Sequence, residues 1–214
     1  MIAADAALPV STLMAALLAA YVIGSIPTAY LAGRANGLDL RTVGSGNLGA
    51  TNVFRTLGWR WGLLVYAVDL LKGVVPVLSI PGVLGVAAGW PWGIIMGVTA
   101  ILGHVRPLFL MGKGGGKGVA TASGVFIALA PLPALSAVAV FIAVVAVTRY
   151  VSLGSLVAAV VLPTALLVQD RAVSPLVITS VIVGAFVFWT HRANIERLCR
   201  GEESRIGRSA RGSA

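Results

Sequence analysis

Charge is scarce in this chain. Asp, Glu, Lys and Arg make up 11% of its 214 residues, against roughly 25% in a soluble globular domain, and that deficit excludes a water-soluble fold. Cysteine is nearly absent. Cys199 stands alone, so there is no internal disulfide and no metal-ligand spacing, and its thiol reads as a bystander in a basic tail. The first ten residues hold one acid and no Lys or Arg. They lack the basic n-region of a secretory signal peptide, so the first apolar stretch is expected to be a retained span. Internal repeats, a separate soluble domain and low-complexity linkers are also missing.

What the chain has in abundance is apolar length. Hydrophobic residues reach 58% and mean hydropathy +0.96. They come in unbroken runs without alternation, as in helices that meet lipid or other helices on every side. The runs lie at about 10–31, 61–80, 84–103, 119–132, 134–148, 153–168 and 175–190. They predict an all-α fold, a polytopic helical membrane bundle of about seven spans. Five runs approach the roughly 17–25 residues needed to cross a bilayer. The fourth and fifth are short and separated only by Pro131-Leu132-Pro133, compatible with a tilted hairpin, a re-entrant loop or one kinked span.

Cations decide the orientation. Of sixteen Lys and Arg residues, fourteen fall on one side: Arg34, Arg41, Arg55 and Arg60, then Arg106, Lys113 and Lys117, then Arg149, and six in the tail from Arg192 to Arg211. Only Arg171 falls opposite, and Lys72 lies within a run. The positive-inside rule then puts the N-terminus outside, with both long polar loops and the C-terminus in the cytoplasm. An even number of crossings between Lys117 and Arg149 favours the hairpin. Residues 1–203 read as one membrane-embedded catalytic domain and 204–214 as a basic tail without fixed structure.

The polar loops carry the chemistry. Gly44, Gly46 and Gly49 match the dinucleotide fingerprint G-x-G-x-x-G, but that pattern has meaning only after a strand in a βαβ unit. Here it follows an apolar helix. What remains is local physics: glycines admit an anion to the backbone N–H groups, Ser45, Asn47, Thr51 and Asn52 offer neutral hydrogen bonds, and Arg55 can fork onto phosphate. The second loop, Lys113-Gly114-Gly115-Gly116-Lys117, fails the Walker A spacing. Two lysines around three glycines directly before an apolar helix still make an anion site.

Asp69 and Lys72 lie three apart in an otherwise apolar run and read first as a structural ion pair. Ser152, Ser155, His191 and Asn194 could extend the polar site. His191 and Glu196 echo the H-x4-D pattern of soluble glycerolipid acyltransferases poorly, since five residues along a helix turn side chains roughly 140° apart. After His104 the equivalent residue is Phe109, and no Ser-His-Asp set presents itself.

Several runs stand out together: Gly24-Ser-Ile-Pro27, Gly44 to Arg55, Asp69-Leu-Leu-Lys-Gly73, Gly103-His104, Lys117 to Thr121, Ser152-Leu-Gly-Ser155, and His191 to Leu198 followed by Gly201-Glu202. In this order they closely resemble the bacterial acyl-phosphate:glycerol-3-phosphate acyltransferases (PlsY-type). The resemblance covers nearly the whole chain. One departure is that three glycines, not the usual two, separate Lys113 from Lys117, which leaves the register of the first cation open.

The resemblance implies a seven-span enzyme of the bacterial cytoplasmic membrane that moves an acyl chain from acyl phosphate to the 1-hydroxyl of glycerol 3-phosphate. The products would be 1-acylglycerol 3-phosphate and phosphate, with the site facing the cytoplasm. Ser45, Arg55, Lys117, Ser155 and Asn194 are the candidate catalytic residues. Gly44, Asn47, Thr51, Asn52, His104, Lys113, Gly114, Gly115, Gly116 and Glu202 are the candidate phosphate-binding residues. No cofactor, metal, nucleic acid or obligate protein partner is expected; the partners are the two substrates and membrane lipid.

A transporter of a small phosphorylated anion would also use cationic glycine loops, but should show inverted repeats or charged groups near the midplane, and only Asp69 and Lys72 fit. A scaffold protein explains neither loop. A CDP-alcohol phosphotransferase needs several carboxylates for metal, whereas the polar loops contain only Asp39.

Overall fold

The computed structural model of the chain describes residues 8–207, and no strand occurs among them. The helices group into two compact units, one ending at Leu129 and the other starting at Ala130.

The first unit opens with one apolar segment, Val10–Ala35, broken into α1 (Val10–Ser25) and α2 (Thr28–Ala35). The break follows from Pro27, which has no N–H for the helical ladder and pushes Ile26 out of helical geometry (φ −55°, ψ 116°). Then come α3 (Ala50–Leu57), α4 (Trp59–Val83), α5 (Trp92–Val105), a 3-10 turn (Leu108–Leu110) and α6 (Val119–Leu129). Glycines let these helices touch backbone to backbone. A Cβ on Gly24 would overlap the Ala100 carbonyl of α5; one on Gly73 would overlap the Thr121 carbonyl of α6, and one on Gly124 the Leu70 carbonyl of α4. Such close approach supplies the van der Waals contact that drives helix association where lipid removes the hydrophobic drive. Leu63, Leu64, Leu71 and Leu78 of α4 point outward, as suits a lipid-facing surface.

The second unit contains α7 (Pro131–Thr148), α8 (Val151–Asp170), α9 (Pro175–Thr190) and α10 (Arg192–Cys199). Pro131 opens α7 instead of sitting in a turn, because its fixed φ suits a first helical residue; the break falls at Ala130. Ser174 caps α9, its Oγ accepting from the Val177 N–H (3.3 Å) and donating to Asp170 Oδ2 (2.6 Å). At His191 the chain bends by 61° into α10. Beyond α10 the tail is held as far as Ile206, whose N–H donates to the Arg149 carbonyl (2.9 Å), while Arg205 stacks 4.9 Å from the Tyr150 ring centre. Residues 208–214, the rest of the tail expected to lack fixed structure, lie outside the described residues.

Two borders differ from the sequence reading. α4 continues to Val83 and Gly85 (φ +70°) turns the chain, so the next helix starts at Trp92 and not at Leu84. Among the described residues, five helical segments are long and apolar enough to cross a membrane, or six if the bent α9–α10 pair is one span. The expected seventh corresponds to α6. Its 11 residues extend about 16 Å, well short of a hydrocarbon core of roughly 30 Å.

Candidate active site

In the first unit the loop between α2 and α3 coils tightly because Gly44 (φ +64°) and Gly46 (φ +69°) adopt the left-handed conformation. Asn52, 2% exposed, pins the coil from inside. Its Oδ1 accepts the Ser45 N–H (3.0 Å) and its Nδ2 donates to the carbonyls of Leu40 (3.2 Å) and Val43 (3.1 Å). Its amide thus shapes the loop, while Gly44, Ser45 and Arg55 are exposed and Asn47 and Thr51 half-buried. Alongside, Asp39 receives a fork from Arg41 (Nε to Oδ1 2.9 Å, Nη2 to Oδ2 2.6 Å). These hydrogen bonds hold the Asp39 carboxyl at about 2. The acid is therefore ionised at neutral pH and paired with a guanidinium, so it leaves the positive balance of the loop in place.

The second loop needs its glycines for space. The Gly116 N–H donates to the His104 carbonyl (3.3 Å); a Cβ on Gly116 would overlap the His104 imidazole, and one on Gly115 the Val105 carbonyl. Asn47 Nδ2 reaches the Gly115 carbonyl (3.5 Å) and joins the two loops. Lys113 is exposed, and Lys117 is half-buried two residues before α6.

Beneath this loop lie three buried titratable groups. Lys72 Nζ donates to Asp69 Oδ1 and to the Ile26 carbonyl at the α1–α2 break, both at 2.5 Å. His104 Nδ1 stands 3.8 Å from the same Asp69 oxygen, and Thr121 Oγ1 donates to the Asp69 backbone carbonyl (2.9 Å). A small cleft opens here, lined by the apolar Ile26, Pro27, Leu48, Pro107 and Leu110 and by Thr28, Asp69, Lys72, His104 and Gly114–Gly116.

The second unit holds the remaining candidates. Ser155, 4% exposed, donates to the Val151 carbonyl one turn back (3.0 Å). The His191 Nδ1 lies 2.8 Å from the Val187 carbonyl, which can only accept, so this nitrogen carries a proton. Asn194 Nδ2 donates to Glu203 Oε1 (2.7 Å), Ser152 Oγ to the same oxygen (2.9 Å), and Arg197 Nε to Oε2 (2.7 Å). Burial raises the Glu203 pKa, but the hydrogen bonds from Asn194, Arg197 and Ser152 and the Arg197 charge outweigh it and hold the carboxyl below its ordinary value.

Glu203, which sequence reasoning did not single out, is the buried acid of the tandem pair. Glu202 is exposed and Glu203 is 7% exposed. The tandem acids after a helix were the available signal. Which of them turns inward depends on Gly201 (φ +73°) after α10, and that is a tertiary matter.

The profile of the glycerol-3-phosphate acyltransferase family matches residues 14–201. Curated relatives of that name share 49% identity over 188 residues (Geobacter sulfurreducens) and 51% over 188 residues (Trichlorobacter lovleyi), each covering 87% of this chain and 94% of the relative. Among solved structures, PlsY (YgiH), an integral membrane glycerol 3-phosphate acyltransferase, is similar in its glycerol 3-phosphate form with TM-score 0.83 and 40% identity. Its lysophosphatidic acid form gives 0.81 and 38%, and both cover 92% of this chain and 96% of that one. With a helical membrane scaffold, and the family profile matched along nearly its whole length, the chain belongs to the glycerol-3-phosphate acyltransferase family.

Proposed function

We propose that this acyltransferase takes its acyl group from an acyl phosphate and passes it directly to the 1-hydroxyl of glycerol 3-phosphate. The hydroxyl oxygen attacks the acyl carbon, the bond from that carbon to the bridging phosphate oxygen breaks, and the hydroxyl proton goes to a substrate phosphate. Inorganic phosphate and 1-acylglycerol 3-phosphate leave. The observation that carries this reading is the pair of glycine-turned loops joined by Asn47 and Gly115, with Lys113 and Lys117 on the second and Arg55 on α3 just after the first. Both substrates are anions at a membrane boundary. Orienting them and offsetting their repulsion is then the main catalytic task, since the mixed anhydride is already activated. That the similar PlsY was solved in glycerol 3-phosphate and lysophosphatidic acid forms, the acceptor and the product here, supports it.

In this reading Lys113, Lys117 and Arg55 supply charge to phosphate. Gly44, Ser45, Asn47, Thr51 and Gly114–Gly116 supply the cradle, and Ser155 and Asn194 supply further hydrogen bonds. Asn52 acts by shaping the first loop, and Glu203 acts by holding Ser152, Asn194 and Arg197 in place. The transporter alternative rested on Asp69 and Lys72, whose charges answer each other.

Direct transfer predicts that Cys199→Ala keeps near-wild-type activity. Donor without acceptor should leave no acyl group on the protein. Mass spectrometry of quenched enzyme tests this, and a stoichiometric adduct discharged by glycerol 3-phosphate would sink the direct route. Intersecting initial-rate lines are expected, in place of the parallel lines of a ping-pong scheme.

The proposed orientation, with both loops cytoplasmic, follows from the fourteen-to-one cation distribution, and the inner membrane of a bacterium from the likeness to the bacterial family. Single cysteines at Ser45 and Gly115, in a Cys199→Ser background, are expected to resist impermeant thiol reagents on intact cells and to label in inverted vesicles. Labelling of either from outside would overturn it.

A further inference from the structure

We propose that four buried side chains outside the phosphate loops, Asp69, Lys72, His104 and Thr121, are positioning residues that hold the second loop at the height where its N–H groups and Lys117 meet a substrate phosphate. This rests on the reading of that loop as a phosphate site.

Asp69 and Lys72 are 1% and 3% exposed on an apolar helix, and a charge pair in such surroundings gains little over a well-packed apolar pair. Stability alone gives no reason for it. Geometry does, because three separate elements are referred to one carboxylate-bearing residue. Through Lys72, Asp69 is tied to the carbonyl that the Pro27 break exposes at Ile26. Through its own backbone carbonyl it holds Thr121, which is 0% exposed on the first turn of α6 and four residues after Lys117. On its third side stands His104, whose imidazole forms the floor under Gly116 and whose carbonyl receives the Gly116 N–H. The break in the first span, the end of α5 and the start of α6 therefore share one reference point directly beneath the loop. Lys117 lies on the short link between two of these attachments, so a shift of the reference point moves its ammonium group. A displacement of about 1 Å is enough to weaken a charged contact severely.

Thr121→Val is the cleanest probe, since it keeps the branched shape and removes one hydrogen bond. Steady-state kinetics of the full-length enzyme in lipid nanodiscs, normalised to folded protein, should be run on Thr121→Val, Lys72→Met and Lys117→Ala, with melting curves. The expected result for Thr121→Val is a KM for at least one phosphorylated substrate raised about fivefold or more, with kcat within about twofold and only a small loss of melting temperature. Lys72→Met should show the larger KM effect. If it fails to fold, Thr121→Val still decides. Unchanged KM values in folded Thr121→Val, with or without a lower melting point, would reduce the network to a structural role and overturn the proposal. Loss of kcat at constant KM would overturn it too, since the network would then act on chemistry and not on binding. Lys117→Ala separates the two levels. If it weakens turnover while the network variants do not, only the positioning inference fails; if it changes nothing, the phosphate-loop reading fails with it.

Discussion

Lys117→Ala and Arg55→Ala are each expected to lower kcat/KM by roughly 10-fold to 150-fold, about 1.5–3 kcal/mol of transition-state stabilisation, without loss of folding. The size follows from the chemistry of the contact. Removing one charged donor from a phosphate forfeits a charge-assisted hydrogen bond and leaves part of the repulsion between two anionic substrates unanswered. Lys117 stands half-buried just ahead of α6, and Arg55 exposed on the last turn of α3, so neither should be needed for the helical packing. Arg208→Ala, in the distal tail, serves as the control and should keep wild-type rates. Lys117→Arg tests for point charge against a fork, because an extra planar group must fit beside Gly116 and Gly118. Wild-type kcat/KM in well-folded Lys117→Ala and Arg55→Ala would remove phosphate binding from these loops.

Glu203→Ala is expected to destabilise the protein by about 2–4 kcal/mol, whereas Glu202→Ala should change stability by less than about 0.5 kcal/mol. Glu203 is the shared acceptor of Ser152, Asn194 and Arg197, and two of those donors are buried. Truncation takes their acceptor away and loosens the chain just beyond α10. The effect stays below that of a fully buried ion pair because the Arg197 side chain is 38% exposed. The pH dependence has a definite sign. The folded carboxyl titrates below its ordinary value of 4.5, so its contribution is fully present above that pH and is lost as the pH falls through the lowered folded value. Melting curves between pH 6 and pH 3 should therefore fall more steeply for wild type than for Glu203→Gln, which keeps an acceptor but cannot ionise. Parallel curves would mean that this carboxylate adds no pH-linked stability.

Much of the fold was legible because a membrane constrains helices more strictly than water does. Unbroken apolar runs, with Pro175 at the head of the last one, mark helices by local chemistry alone. The border near Leu84 was not legible, since a glycine turn inside an apolar run leaves no polar signature. The end of α6 was not legible for a related reason: Lys117-Gly118 marks where it begins, but apolar residues continue past Leu129 into α7.

For the site, composition and order were sufficient to name an anion-handling enzyme and its motifs. Glycines beside Lys and Arg have few other uses, and the family motifs follow one another along the chain. The sequence by itself thus determined the class, the helices, the two loops and the family. Tertiary structure alone decided which polar residues face inward: Asn52 folded into its own loop, Glu203 chosen over Glu202, and Asp69, Lys72, His104 and Thr121 gathered from three helices beneath Gly116. The physical reason is that residue type and spacing report what a side chain can bond to within a turn or two of its own element. A buried hydrogen bond between Thr121 and Asp69, 52 residues apart, exists only once Gly73 and Gly124 have let α4 and α6 approach to backbone contact.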